Sequence, residues 1–193
     1  MAATEVDGEL LIQDLGPDLI DRGDCESDIN PALDGEEGFY WLSTHYDTTF
    51  ERDDSDKYVG SYSWKITTPF GENGSVALAE DRPNDDMKVF EVGKTYLLKA
   101  AMKADNYSNS RLSISYRKDN EWHTLGTPLA PSGADTWEEV EGEFTIPEGA
   151  VAATLVLTQM STSSYVSIDC LELYEIGEVS LEYDHGIERL TIS

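Results

Sequence analysis

Ser61-Tyr-Ser-Trp-Lys-Ile-Thr67 decides the fold class. Tyr62, Trp64 and Ile66 point to one side of an extended chain, Ser61, Ser63, Lys65 and Thr67 point to the other, and Pro69 ends the run. A step of two on large apolar residues is the period of a strand with one buried face; a helix would show i, i+3, i+4, i+7, and no such run is sustained anywhere in the chain. Beyond Pro69 the same period predicts strands at 94–103, 111–116, 137–146, 152–160 and 165–174. Turn signals separate them: Glu72-Asn-Gly74, Arg82-Pro-Asn-Asp85, Asp105-Asn-Tyr-Ser-Asn109, Lys118-Asp-Asn120 and Pro147-Glu-Gly149. Short strands about ten residues apart with polar turns between them predict an all-β, two-sheet antiparallel sandwich.

The 193 residues suit one large domain with a substantial core. Ten Tyr, four Trp and five Phe among 39% hydrophobic residues argue for a packed interior rather than disorder. Thirteen Lys and Arg against 39 Asp and Glu leave a formal charge of -26, which argues strongly against nucleic acid or an anionic membrane surface as the partner. Met1-Ala-Ala-Thr-Glu5 lacks the basic start and apolar stretch of a secretory signal, and no apolar run approaches the roughly 18 residues that span a bilayer. The ends read apart from the middle. Residues 9–15 form an apolar arm that is expected to stop at Gly16-Pro17, and 178–193 read as a hairpin turning at Asp184-His-Gly186. A lone hairpin is marginal in water, so this one is expected to pack on the sandwich or to pair with another chain. The division is an N-terminal arm at 1–17, the sandwich at 18–175 and a C-terminal hairpin extension at 176–193.

Asp18-Leu-Ile-Asp-Arg-Gly-Asp-Cys-Glu-Ser27 resembles the opening strand, Asn-Leu-Ile-x-Asn-Gly-Asp-Phe-Glu-Ser, of the jelly-roll carbohydrate-binding modules attached to xylanases. Three later stretches resemble the same family in order: Gly60-Ser-Tyr-Ser-Trp-Lys-Ile-Thr67, Gly93-Lys-Thr-Tyr-Leu-Leu-Lys-Ala-Ala-Met-Lys-Ala104, and Trp137 through Phe144-Thr-Ile-Pro-Glu-Gly149 to Ile168-Asp-Cys-Leu-Glu-Leu173. The resemblance implies a jelly roll over residues 18–175 and a structural calcium. Its ligands would be Glu26, with Asp24, from the first strand and Asp169 from the last, hard oxygens of the kind calcium takes. The alternative is three of 39 carboxylates on solvated strand edges. Cys25 stands where the family has Phe and Cys170 where it has a second Asp, each one residue from a ligand position. If Glu26 and Asp169 converge on one ion, alternation turns both cysteines to the opposite side and brings them within disulfide reach, which implies an oxidising compartment. The alternative is two buried free thiols.

Sugar-binding sandwiches offer flat rings to pyranose faces, flanked by polar groups for the hydroxyls. Tyr40, Trp41, Tyr116 and Trp122 are the candidates, the last two flanking the Lys118-Asp-Asn120 turn; the competing use of each ring is core or interface packing. Tyr62 and Trp64 are assigned to the core, Trp137 to a structural place at a strand start, and Asp53-Asp-Ser-Asp56 to a solvated turn. No His-Glu-x-x-His, nucleophile elbow or glycine-rich phosphate loop is present, and among 39 acids no glycosidase pair stands out. With strand-like extensions at both ends, and because phage surface proteins often resemble this module family, the expected function is a non-catalytic virion protein: a capsid decoration, head-fibre or tail-fibre component at the virion surface or extracellular. Its partners would be other virion proteins, further copies of itself and cell-surface polysaccharide. The alternatives are an accessory polysaccharide-binding module of a secreted glycoside hydrolase and, third, a small sandwich-fold hydrolase.

Overall fold

The alternating run around Trp64 is a strand, and its neighbours in the sequence pattern are strands too. The computed structural model describes residues 2–6, 9–27, 32–33, 40–43, 49–69, 74–77, 89–160 and 164–177. Its strands are β1 (Ala2–Val6), β2 (Glu9–Asp18), β3 (Ile20–Asp21), β4 (Ala32–Leu33), β5 (Tyr40–Ser43), β6 (Thr49–Asp53), β7 (Ser63–Thr68), β8 (Gly74–Ala77), β9 (Thr95–Ala104), β10 (Ser110–Lys118), β11 (Glu121–Thr124), β12 (Glu138–Thr145), β13 (Ala152–Gln159) and β14 (Ser164–Gly177). They form two antiparallel sheets and a small β3–β4 pair, the two-sheet sandwich that the alternation predicts and the jelly roll that the resemblance implies.

The large, seven-stranded sheet is organised by β14. One edge of β14 pairs with β9, which in turn pairs with β12; the other edge takes β7 over its first half and β2 near its end. The small, five-stranded sheet runs β11-β10-β13-β8-β5. Between the sheets Tyr96, Phe90, Ile66, Leu98, Met102, Leu112, Ile114, Ile146, Leu155 and Leu157 are fully buried, each worth about 1.5–3 kcal/mol of transfer free energy.

Plain alternation fails at two places in the large sheet. At the chain start, β2 does not stop at Gly16-Pro17 but runs through it to Asp18. Proline is tolerated there because the β1 ladder ends at Gln13 and the β14 ladder shifts register between Tyr174 and Ile176, so the missing N–H lies outside both regular ladders. The arm is thereby part of the large sheet. On β14, Asp169 pairs with Ala101 and Glu172 with Lys99, three steps against two, which inserts one extra residue. Cys170 absorbs the bulge with φ +48°. The extra residue lets Ile168, Leu171 and Leu173 all reach the core. The described part of β14 ends at Gly177, so the hairpin expected over 178–193 lies outside the described residues. Tyr62 also departs from expectation: it precedes β7 and lies half-buried beneath the Arg52 guanidinium, 3.4 Å from its ring centre, while Trp64 is buried and stacks on Phe50.

Candidate functional site

The outer face of the large sheet carries a charged, ring-lined surface. Along β9, Tyr96, Leu98, Ala100, Met102 and Ala104 are core residues, which by alternation turns Lys99 and Lys103 outward. Lys65 of β7, Tyr165 of β14, and Glu139 and Glu141 of β12 share that face. Lys65 binds Asp53 (3.1 Å) and lies over the Tyr165 ring (4.6 Å), whose hydroxyl donates to Asp135 (2.7 Å). Lys103 binds Asp56 (2.8 Å), and Asp56 also accepts from the Trp137 indole Nε1 (2.9 Å). Trp137 leans on Tyr58, ring centres 6.0 Å apart at 47°, and the Tyr58 hydroxyl donates to Glu139 (2.8 Å). Partly exposed ion pairs add little stability, about 0–1 kcal/mol each, so their effect is to hold the rings in place.

A groove of about 550 Å³ runs along this face, lined by Tyr58, Lys99, Glu139, Glu141, Cys170 and Glu172 among others. Tyr58 is 42% exposed at its end. The hydrogen bond to Glu139 raises the Tyr58 phenol above its ordinary value, and burial followed by the Asp135 bond raises that of Tyr165, so both remain protonated donors at neutral pH. Burial, then the Asp169 carboxylate, pushes the Cys170 thiol up to about 11. It faces the groove as a neutral thiol.

The loop that carries Tyr58 is tied to the chain start and to β14. Asp169 is buried and accepts from the backbone N–H of Tyr58 (3.1 Å), Val59 (3.2 Å) and Cys170 (2.8 Å). Glu26 accepts from Ser61 N (2.7 Å) and Tyr62 N (3.3 Å). Arg52 of β6 donates from Nε to the Cys25 carbonyl (3.3 Å) and from Nη2 to the Glu26 carbonyl. Gly23 seats the turn against the bulge: its carbonyl accepts from Leu171 N (2.9 Å), and a Cβ there would stand 1.8 Å from the Leu171 carbonyl oxygen. The Ser61 N–H, with Tyr62 N–H and Arg52, holds Glu26 below the usual carboxylate range; Asp169 goes the other way because its burial outweighs the N–H groups that it accepts.

Neither protein-family models nor curated proteins match this chain. Solved structures do. The CBM22-1 xylan-binding domain from Paenibacillus barcinonensis Xyn10C aligns with TM-score 0.54 at 12% identity, over 85% of this chain and 96% of that one. The fold is that of a jelly-roll carbohydrate-binding module. The CBM22-1–GH10 modules of Clostridium thermocellum endo-1,4-beta-D-xylanase 10B, complexed with xylohexaose, align at TM-score 0.51 and 15% identity, over 76% of this chain and 28% of that one. The enzymatically active domain of bacteriophage CBA120 tailspike protein 4 aligns at TM-score 0.51 and 16% identity, over 72% of this chain and 19% of that one. At such identities the likeness is one of fold.

Within the module fold, the residues singled out from the sequence scatter. Tyr116 pairs in register with His123 and stacks on it (5.2 Å), partly buried against the core; Trp122, 40% exposed, pairs with Arg117 in the adjoining row. Successive positions on a strand face opposite sides of the sheet, so Tyr116 and Trp122 do not form one platform. Tyr40 and Trp41 lie on β5, at the far edge of the small sheet from β11. Asp24 caps the backbone N–H of Glu26 (3.3 Å). Asp24, Glu26 and Asp169, the residues named for calcium, make contacts within the protein: Glu26 Oε1 and the Asp169 carboxylate receive backbone N–H groups, and Arg52 takes two carbonyls of the turn. Cys25 and Cys170 are free thiols. The bulge is why alternation misplaces Cys170: Cys25 is a core residue, whereas the extra residue turns Cys170 into the outer groove. Asp56, read as part of a solvated turn, anchors Trp137 and Lys103.

Tyr58, Tyr165 and Asp56 are candidate site residues that no family-resembling stretch marks; Trp137 opens one such stretch but reads there as structural. The alternation of lysines with core residues along 94–103 is the one signal that points to this face; nothing local pairs Tyr58 with Trp137, 79 positions away.

Proposed function

We propose that this chain is a non-catalytic carbohydrate-binding module, displayed at a virion surface as an adhesive or decorating component, and that the groove on the large sheet takes the glycan. The observation that carries the reading is the Tyr58–Trp137 ring pair, each ring fixed through its polar atom by Glu139 or Asp56, beside Lys99 and Glu141. Rings so held offer apolar faces to a pyranose without loss of rotamer freedom, and the flanking ammonium and carboxylate groups supply donors and acceptors for hydroxyls. The groove volume falls in the range of about 300–1,000 Å³ usual for ligand sites. Binding of this kind makes and breaks no covalent bond, and the neutral Cys170 thiol offers no nucleophile.

Virion display is supported by the β1–β2 hairpin. Among the described residues β1 pairs only with β2, so its outer edge has backbone groups suited to strand addition from a symmetry mate or another virion protein. Repetition on a particle would turn weak contacts with cell-surface polysaccharide into avidity. The second reading, an accessory module of a secreted glycoside hydrolase, is favoured by the likeness to the whole of an isolated xylan-binding domain.

The test is binding of the purified chain to immobilised xylan and to bacterial surface polysaccharides, with its mass in solution measured alongside. Binding to surface polysaccharide by an oligomer supports the virion reading, binding to xylan by a monomer supports the enzyme-associated one, and no binding by folded protein contradicts both.

A further inference from the structure

The 22–26 turn meets, at one place, a stretch well beyond it in sequence that carries strand β6 and the loop from Tyr58 to Tyr62. The resemblance drawn from the sequence puts a divalent cation there. What occupies the centre is a side chain. Arg52 reaches from β6 to the carbonyls of Cys25 and Glu26, and its guanidinium carbon lies over the Tyr62 ring, 3.4 Å from the ring centre. The carboxylate of Glu26 then turns to Ser61 N and Tyr62 N, and that of Asp169 to Tyr58 N and Val59 N. A calcium ion needs about six to eight oxygens with lone pairs directed at it. Here the Cys25 and Glu26 carbonyls, Glu26 Oε1 and both Asp169 oxygens already receive N–H groups.

We propose that Arg52 is the internal cation of this junction: its guanidinium, held by the Cys25 and Glu26 carbonyls and by the Tyr62 ring, does the cross-linking that a bound calcium would do, so the sandwich closes without metal. Guanidinium suits the place. It is charged at every accessible pH, its planar fork reaches two carbonyls at once, and its flat face stacks on an aromatic ring.

The test is thermal unfolding of the full chain in excess chelator and in excess calcium, for the native protein, Arg52→Met and Arg52→Lys. The native chain is expected to melt at the same midpoint in both buffers. Arg52→Met, which keeps the bulk and loses the charge and donors, is expected to melt about 5 °C lower. Arg52→Lys keeps the charge without the fork and is expected to fall between. A native midpoint that rises with calcium and falls with chelator overturns the proposal, as does an Arg52→Met midpoint equal to the native one. If Arg52→Met cannot be purified folded, equilibrium dialysis of the native chain against calcium decides: a stoichiometric ion overturns the proposal, and none bound, together with a lowered Arg52→Lys midpoint, supports it.

Discussion

The faces of the two sheets that point away from the core are made by the same alternation and differ in what they present: charged, ring-bearing groups on the large sheet, and small buried side chains at the centre of the small one. On the large sheet Lys65 and Lys103 are tied to Asp53 and Asp56, and Tyr58, Trp137 and Tyr165 are each hydrogen-bonded through their polar atoms. On the small sheet the central positions that alternate with the core, Ser113, Thr154 and Val156, are small, neutral and themselves buried, with exposed Trp122 out on the four-residue edge strand β11. An exposed ring is therefore not the same thing as a presented ring. Trp122 has exposure, whereas Tyr58 has exposure and a fixed position beside the half-buried, equally fixed Trp137, and it is the second property that lets a ring meet a sugar without an ordering cost.

The largest effect comes from breaking what supports the large-sheet face. Gly23→Ala puts a methyl 1.8 Å from the Leu171 carbonyl oxygen, so the turn and the bulge must separate; a loss of about 3 kcal/mol in denaturant unfolding is expected. A native-like stability for that variant would mean that the turn does not seat the bulge. Next is Asp56→Ala, which frees both the Trp137 indole and Lys103. Glycan affinity measured by titration calorimetry is expected to fall about tenfold, near 1.4 kcal/mol. Lys103→Met keeps the Trp137–Asp56 bond and removes only the ammonium, and about a threefold loss is expected in the same assay. The smallest effect is on pH. Glu26 has its folded pKa lowered, so its stabilisation is present above the unfolded carboxylate value of about 4.3 and is lost as pH falls through the folded value. Asp169, raised by burial, has the opposite sign and costs stability as it ionises. The acid limb of the melting curve against pH should flatten in Glu26→Gln and steepen slightly in Asp169→Asn.

What is legible in the sequence follows the range of the interactions. Trp64, Ile66 and the β9 core residues are legible because alternation is local, and it places strands to within a few residues. The bulge at Cys170 is not, since one extra residue leaves no mark in a run such as Ile168-Asp-Cys-Leu-Glu-Leu173, yet it reverses which way a thiol points. Gly16-Pro17 misleads for the converse reason: a strong local stop signal is harmless where two ladders already miss a rung. The groove is illegible because Tyr58, Trp137 and Asp56 come from a loop and a strand start whose approach depends on sheet order, and because one acid among 39 has no signature. Arg52 is hidden for the same reason, its partners being backbone carbonyls.

A glycan site on the large sheet is tested most directly by comparing Trp137→Ala with Trp122→Ala in binding to whichever polysaccharide the native chain retains. Loss of binding in Trp137→Ala with native affinity in Trp122→Ala is the result expected. Native affinity in Trp137→Ala, with loss in Trp122→Ala, would move the site to the small sheet and contradict the assignment.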